Sequence, residues 1–180
     1  MLIVQLIVNF LEDKNHINLP NPIDTNTFKP FDKESSRELW SLPKDKKLVL
    51  FGAMGATSDP RKGFKELSKA LSLINTDVEF VVFGSSKPQN ASDFGFKTHY
   101  LGHLHDDVSL VTLYSAVDVM VVPSLQENLS NAVMESLACG VPVVAFGATG
   151  LLDIVDHQTN GYLAEPFESE DMACGIEWVL

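Results

Sequence analysis

The sequence predicts an α/β fold, a Rossmann-like doubly wound parallel sheet, and three observations carry that reading. Short runs rich in β-branched residues, Lys47-Leu-Val-Leu-Phe51, Val78-Glu-Phe-Val-Val-Phe83, Asp118-Val-Met-Val-Val122 and Val143-Val-Ala-Phe146, have the composition of parallel strands buried on both faces. The segments between them place apolar residues three and four apart, as crossover helices require. Strand and helix then alternate along the chain without an internal repeat, which is the βαβα rhythm of a sheet covered on both sides.

Taken in order, Met1 to Leu11 is apolar but short of a membrane span, has no basic leader or small-residue cleavage site, and reads as a cut strand. Leu19-Pro20-Asn21-Pro22-Ile23-Asp24 and Phe28-Lys29-Pro30 form an extended linker, because each proline biases its predecessor away from helix. The expected division is residues 1–30 as apolar stretch and linker, and 31–180 as one domain. Glu34, Arg37, Glu38 and Leu39 give Asp32 to Leu42 a helical spacing, broken by Pro43-Lys44-Asp45 before the first strand. Phe64 to Ile74 is the first crossover helix, with Leu67, Leu71 and Ile74 in one stripe, and Val108 to Ala116 and Asn131 to Cys139 are the next two. Asn160-Gly161-Tyr162-Leu163 reads as a turn entering a short strand. Ser169 to Leu180 reads as a closing helix with acidic residues in its first turn and no capping glycine after it, as in a piece of a longer protein.

A chain of 180 residues with 45% hydrophobic and 21% charged content can bury one ordinary core. Its net charge of −11 argues against a nucleic-acid partner and against anionic lipid, so any anion site must be local. Cys139 and Cys174 lack the spacing of a zinc or redox site and read as packed thiols in a reduced, cytoplasmic setting. The five histidines make no helical pair near a carboxylate, so no metal is expected, and no serine or cysteine stands in a nucleophile elbow.

Two loops that follow strands carry the chemistry. Gly52 to Gly63 ends in Arg61 and Lys62 directly before a helix: Lys62 can set a point charge on a diphosphate, Arg61 can fork onto its oxygens, and Gly63 lets backbone approach closely. The same residues also fit a solvated loop with a glycine turn, and the absence of Gly-Lys-Ser/Thr excludes a Walker loop. In the second, Glu127-Asn-Leu-Ser-Asn-Ala-Val-Met-Glu135, eight positions separate two glutamates, one in the loop and one about a turn into the helix. Val133, Met134, Leu137, Ala138 and Cys139 leave that helix little polar face, so Glu135 is expected to be paired or aimed at a cleft. Asn128, Ser130 and Asn131 are capping residues, and N–H groups near Leu129 to Asn131 can receive a phosphate or a sugar hydroxyl. Carboxylates that accept from vicinal hydroxyls beside a phosphate-binding helix start imply a nucleotide sugar as ligand.

The segments LPNPIDTNTF, DPRKGF, DVMVVPSLQENLSNAVMESLACGVPVVAF and GLLDIVDHQTNGYLAEP, in that order, resemble the C-terminal, donor-binding half of the retaining glycosyltransferases of family 4. Those enzymes have the GT-B fold, two Rossmann domains facing each other, and the resemblance spans Leu19 to Leu180. It implies a hexosyltransferase-type enzyme that moves a sugar from a UDP- or GDP-linked donor to an acceptor in polysaccharide or glycoconjugate biosynthesis, with no cofactor and no metal. By resemblance Glu127 is the catalytic-site glutamate that touches the donor sugar, and Glu135 binds the ribose. Lys62 and Arg61 hold the diphosphate with N–H groups around Asn128, Leu129, Ser130 and Asn131, and Leu104 in Tyr100-Leu-Gly-His-Leu104 faces the base. The family's N-terminal acceptor domain is the implied partner; without it the isolated chain is expected to be inactive, and peripheral membrane contact would belong to the full-length enzyme alone. The family's glycine-arginine pair before the clamp lysine is here Gly55-Ala56, which leaves Arg61 as the substitute cation, and its Phe-Gly after the first glutamate is Leu129-Ser130. A nucleotide-sugar epimerase or phosphorylase on the same fold, or a binding-only fragment, are the alternatives.

Overall fold

The structure, a computed structural model, describes residues 21–52, 60–84, 96–126 and 130–180. Among these, six strands form one sheet: β1 (Lys47–Gly52), β2 (Val78–Phe83), β3 (Thr98–Tyr100), β4 (Val119–Val122), β5 (Val143–Phe146) and β6 (Gly161–Ala164). The spatial order is β3-β2-β1-β4-β5-β6 and each adjacent pair is parallel. The helices are α1 (Lys33–Leu39), α2 (Phe64–Leu71), α3 (Asp107–Ala116), α4 (Asn131–Ala138) and α5 (Ser169–Val179), with short 3₁₀ turns at Pro60–Lys62 and Thr149–Asp153.

Period-two alternation splits each strand between two cores. Leu48, Leu50, Met120 and Val143 join Leu113, Tyr114, Val133 and Cys139 beneath α3 and α4, whereas Val49, Phe51, Val121 and Val144 join Leu67, Leu71, Met172 and Ile176 beneath α2 and α5. This explains the near-continuous apolar runs, since every residue of β2 and of β5 is buried; the one charged residue among them, Glu79, is paired with His99 and Lys97. The doubly wound sheet predicted from the sequence is the fold observed.

The differences in detail have local causes. β3 was not among the predicted strands because Thr-His-Tyr has no apolar run; it is a three-residue edge strand, half-buried, and its flanks hold it, with Phe80 N–H donating to Lys97 O and Leu101 N–H donating to Val82 O. β4 begins at Val119 rather than Asp118, whose carboxylate instead accepts from the Leu48 N–H at 2.7 Å, from Arg37 at 2.8 Å and from Lys33 at 2.6 Å. α1 and α2 stop three residues short of the predicted ends, α1 where Ser41 takes a positive φ of 52°. Aspartates cap two helices, Asp32 accepting from Ser35 N–H and Asp106 from Ser109 N–H, both at 2.8 Å. The reading of both cysteines as packed thiols is corrected at Cys174: its position on α5 is exposed while Ala173 and Ile176 turn inward, and only Cys139 is buried.

Candidate functional site

In this strand order the chain runs outward from β1 to β2 and β3, then returns to place β4 on the other flank of β1. Ligands of open α/β sheets bind outside the carboxyl ends of the strands at such a switch point. The two loops that leave it, after β1 and after β4, are the two that the sequence singled out.

Gly63 explains how they meet. It caps α2 in the left-handed region at φ 67°, and a Cβ placed there would lie 1.7 Å from the Pro123 carbonyl oxygen. Glycine is therefore required twice over, by its φ and by direct backbone-to-backbone contact between the loops. The Leu125 N–H donates to Arg61 O at 2.8 Å and fastens the Pro60–Lys62 turn to the segment that leads toward residue 127. Arg61 is exposed and Lys62 half-buried at this junction. Glu127, Asn128 and Leu129 lie outside the described residues.

Across the same junction, α4 starts at Asn131 with Ser130 in the cap position. The expectation of capping side chains is corrected in part, because the Ser130 hydroxyl makes no capping bond and the Asn131 Oδ1 instead accepts from Asn21 Nδ2 of the linker at 3.3 Å. Glu135, one turn further on, is half-buried and paired as its apolar neighbours suggested: its Oε2 accepts from the Tyr114 hydroxyl at 2.9 Å. Burial raises the Glu135 carboxyl above its ordinary pKa, the Tyr114 hydrogen bond opposes this, and the charge of Asp107 adds to the rise. Burial likewise drives the Tyr114 phenol far upward, reinforced by the Glu135 charge, and it pushes the Cys139 thiol up to about 11 with the same carboxylate as a second cause. Tyr114 was missed by the sequence reading; its signal was a lone phenol among Leu110, Val111, Leu113 and Ala116 on an apolar helix.

Leu104 sits half-buried in the loop that follows β3 and packs on the cluster that contains Tyr114. That loop is tied to the end of β2 by the Gly84 N–H donating to Gly102 O at 2.7 Å, and it runs directly into Asp106, the cap of α3. Leu104, Tyr114 and Glu135 thus share one structural unit, with Arg61 and Lys62 on the loop that Gly63 presses against Pro123.

A cleft of about 480 Å³ lies at the ends of β5 and β6, lined by Gly147, Leu152, His157, Tyr162, Glu165 and Asp171. Several of its polar groups are already engaged: the Tyr162 hydroxyl donates to Asp171 at 2.8 Å, the Glu165 N–H donates to the other Asp171 oxygen at 2.7 Å, and His157 Nδ1 accepts from the Leu163 N–H at 3.1 Å. Among the described residues no three His, Cys, Asp or Glu side chains cluster as a metal site, and no helix is long and apolar enough to cross a membrane.

Residues 45–180 match the sequence pattern of the family described as glycosyl transferases group 1. A D-inositol 3-phosphate glycosyltransferase of Xylanimonas cellulosilytica is 31% identical over 169 residues, which cover 85% of this chain and 40% of that protein. Among solved structures, sucrose-phosphate synthase of Thermosynechococcus elongatus superposes with a TM-score of 0.79 at 25% identity, over 98% of this chain and 46% of the other. HepE of Anabaena, in complex with UDP, gives a TM-score of 0.73 at 25% identity over 88% and 46%. The chain spans less than half the length of the curated relatives it matches.

Proposed function

Because the chain belongs to the glycosyl transferases group 1 family, we propose that it is the donor-binding part of a retaining glycosyltransferase that takes a nucleoside diphosphate sugar. The observation that carries this reading is the backbone contact of Gly63 with Pro123, which sets the Arg61–Lys62 turn beside the strand-to-helix segment of Glu135 at the switch point of the sheet. In this reading Glu135 accepts from the ribose hydroxyls, while Leu104 lies against the base. Lys62 and Arg61 face the diphosphate, with the N–H groups that open α4 as further donors. Glu127 would touch the donor sugar.

The roles follow from where charge develops. In transfer the bond between the anomeric carbon and the diphosphate oxygen breaks and the sugar passes to an acceptor hydroxyl, so negative charge grows on the leaving diphosphate. The backbone contact holds the turn that carries both cations, which keeps them close to where that charge develops. The acceptor site is assigned to the part of the protein that lies outside this chain, so the chain alone is proposed to bind donor without transferring it. UDP is the nucleotide we favour, since HepE binds it on the same fold, and a cytoplasmic role in polysaccharide or glycoconjugate assembly is the setting we propose.

Calorimetric titration of the chain with UDP, GDP, ADP and their sugars tests the reading. The expected result is selective binding of one nucleotide, weakened by about 1.5–3 kcal/mol in Glu135→Ala through loss of a charge-assisted hydrogen bond. Equal affinity of the variant and the wild type would remove Glu135 from the site.

A further inference from the structure

We propose that Tyr114 is a positioning residue for nucleotide binding, its hydroxyl holding one oxygen of Glu135 so that the other is presented to the ribose hydroxyls. The inference rests on the reading of Glu135 as the ribose ligand, and it adds a residue from a different helix to that site.

The geometry is specific. Tyr114 is fully buried near the end of α3, and its ring meets Phe83 of β2 edge-on, with centroids 6.1 Å apart and planes at 88°. A tyrosine held this way has its hydroxyl direction fixed by packing, and a buried phenol needs an acceptor. The acceptor is Glu135 Oε2 at 2.9 Å, reached across the α3–α4 contact. Glutamate otherwise loses considerable rotamer freedom when it engages a ligand; here that ordering occurs when the protein folds. One phenolic donor fills one of the roughly four lone-pair sites of a carboxylate, which leaves acceptor capacity for a diol.

The bond also bears on the charge of the site. Burial and the charge of Asp107 favour the protonated form of Glu135, and the Tyr114 hydroxyl is the group that favours the ionised one. Cys139, at the C-cap of the helix that carries Glu135, is held protonated by burial and by that carboxylate. A neutral carboxyl is a weak acceptor, so loss of the phenol should weaken nucleotide binding most where the carboxyl begins to protonate.

The test measures UDP affinity of the chain from pH 5 to 8 for wild type, Tyr114→Phe, Glu135→Gln and the double variant, with thermal melting as the control for folding. Phenylalanine keeps the ring packed on Phe83 and removes the hydroxyl alone. Tyr114→Phe is expected to bind UDP roughly tenfold more weakly at pH 8, and the pH at which affinity is half lost should move upward by about one unit. Glu135→Gln carries only the titration of the diphosphate itself, and the double variant should match it. ¹³C titration of the Glu135 carboxyl without nucleotide, expected to shift upward in Tyr114→Phe, reads the same coupling independently. A melting temperature that falls while neither midpoint moves would make Tyr114 a core residue and overturn the proposal. Binding that Glu135→Gln weakens and Tyr114→Phe leaves intact at every pH would overturn it and spare the site reading. If the wild-type chain binds no UDP, both are overturned.

Discussion

Glu135 and Asp118 are two carboxylates in one domain whose environments act in opposite directions. Burial raises Glu135, so the folded state binds its proton more tightly than the unfolded chain does; its contribution to stability is full below the unfolded value near ~4.3 and is lost as pH rises through the raised folded value. Glu135→Gln keeps an acceptor for the Tyr114 hydroxyl and removes the buried charge. It should therefore melt a few degrees above wild type at pH 8, on the order of 1 kcal/mol, with the difference vanishing below about pH 4, while UDP affinity falls. Equal melting at pH 8 would show that the carboxylate is not held at a cost. At Asp118 burial also pushes upward, but the Lys33 and Leu48 hydrogen bonds and the charges of Lys33 and Arg37 outweigh it and hold the group below the usual carboxylate range. Its contribution is present above the unfolded value near ~3.9 and is lost as pH falls through the depressed folded one. Asp118→Asn removes the charge that faces the buried Arg37 guanidinium, leaving it only the neutral carbonyls of Ala116, Lys44 and Lys46 beside the new amide. Denaturant unfolding at pH 7 should show a loss of about 3 kcal/mol and a flatter acid limb than wild type; an unchanged midpoint would mean that water replaces the carboxylate.

At the scale of elements, the contact that joins the two loops of the proposed site is made by backbone. Replacing Gly63 with alanine forces a left-handed residue and drives a Cβ into the Pro123 carbonyl, so the loop after β1 must separate from the loop after β4. The strain is about 1–3 kcal/mol, and UDP affinity should fall with stability because the Arg61–Lys62 turn moves away from α4. A Gly63→Ala variant that melts lower yet binds UDP like wild type would disconnect the clamp turn from the site. How far such features were legible in the sequence follows from the same physics. β1, β2, β4 and β5 were legible because strands buried on both faces are apolar at nearly every position, and Gly63 was marked as a close-approach glycine from its place between two cations and a helix. The partner of that approach, Pro123, was not legible, since nothing within a loop specifies the other loop it will touch. Tyr114 was hidden for a related reason: a tyrosine on an apolar helix looks like core until a carboxylate 21 positions away proves to be its acceptor. β3 escaped because an edge strand needs flanking hydrogen bonds more than apolar side chains.

For the whole molecule, a net charge of −11 repels a nucleotide diphosphate at long range, so the proposed binding requires groups gathered at one place. The fold gathers them by topology. The reversal of strand order at β1 and β4 brings together loops whose sequence positions lie some sixty residues apart, and the two cores on either face of the sheet hold the strands that carry them. A ligand at that junction bridges the β1–α2 and β4–α4 units, and it should stabilise the domain as a single cooperative body. At a free UDP concentration 100 times its dissociation constant, linkage gives about 2.7 kcal/mol, which for a domain of this size raises the melting temperature by about 5–10 °C. Glu135→Ala and Gly63→Ala should each lose most of that shift at the same UDP concentration, the first through the ribose contact and the second through the displaced cations, whereas Asp118→Asn should melt lower but keep it. A shift of equal size in all four proteins would place UDP elsewhere on the surface, and no shift with UDP, GDP or ADP would show that this chain does not hold the donor nucleotide by itself.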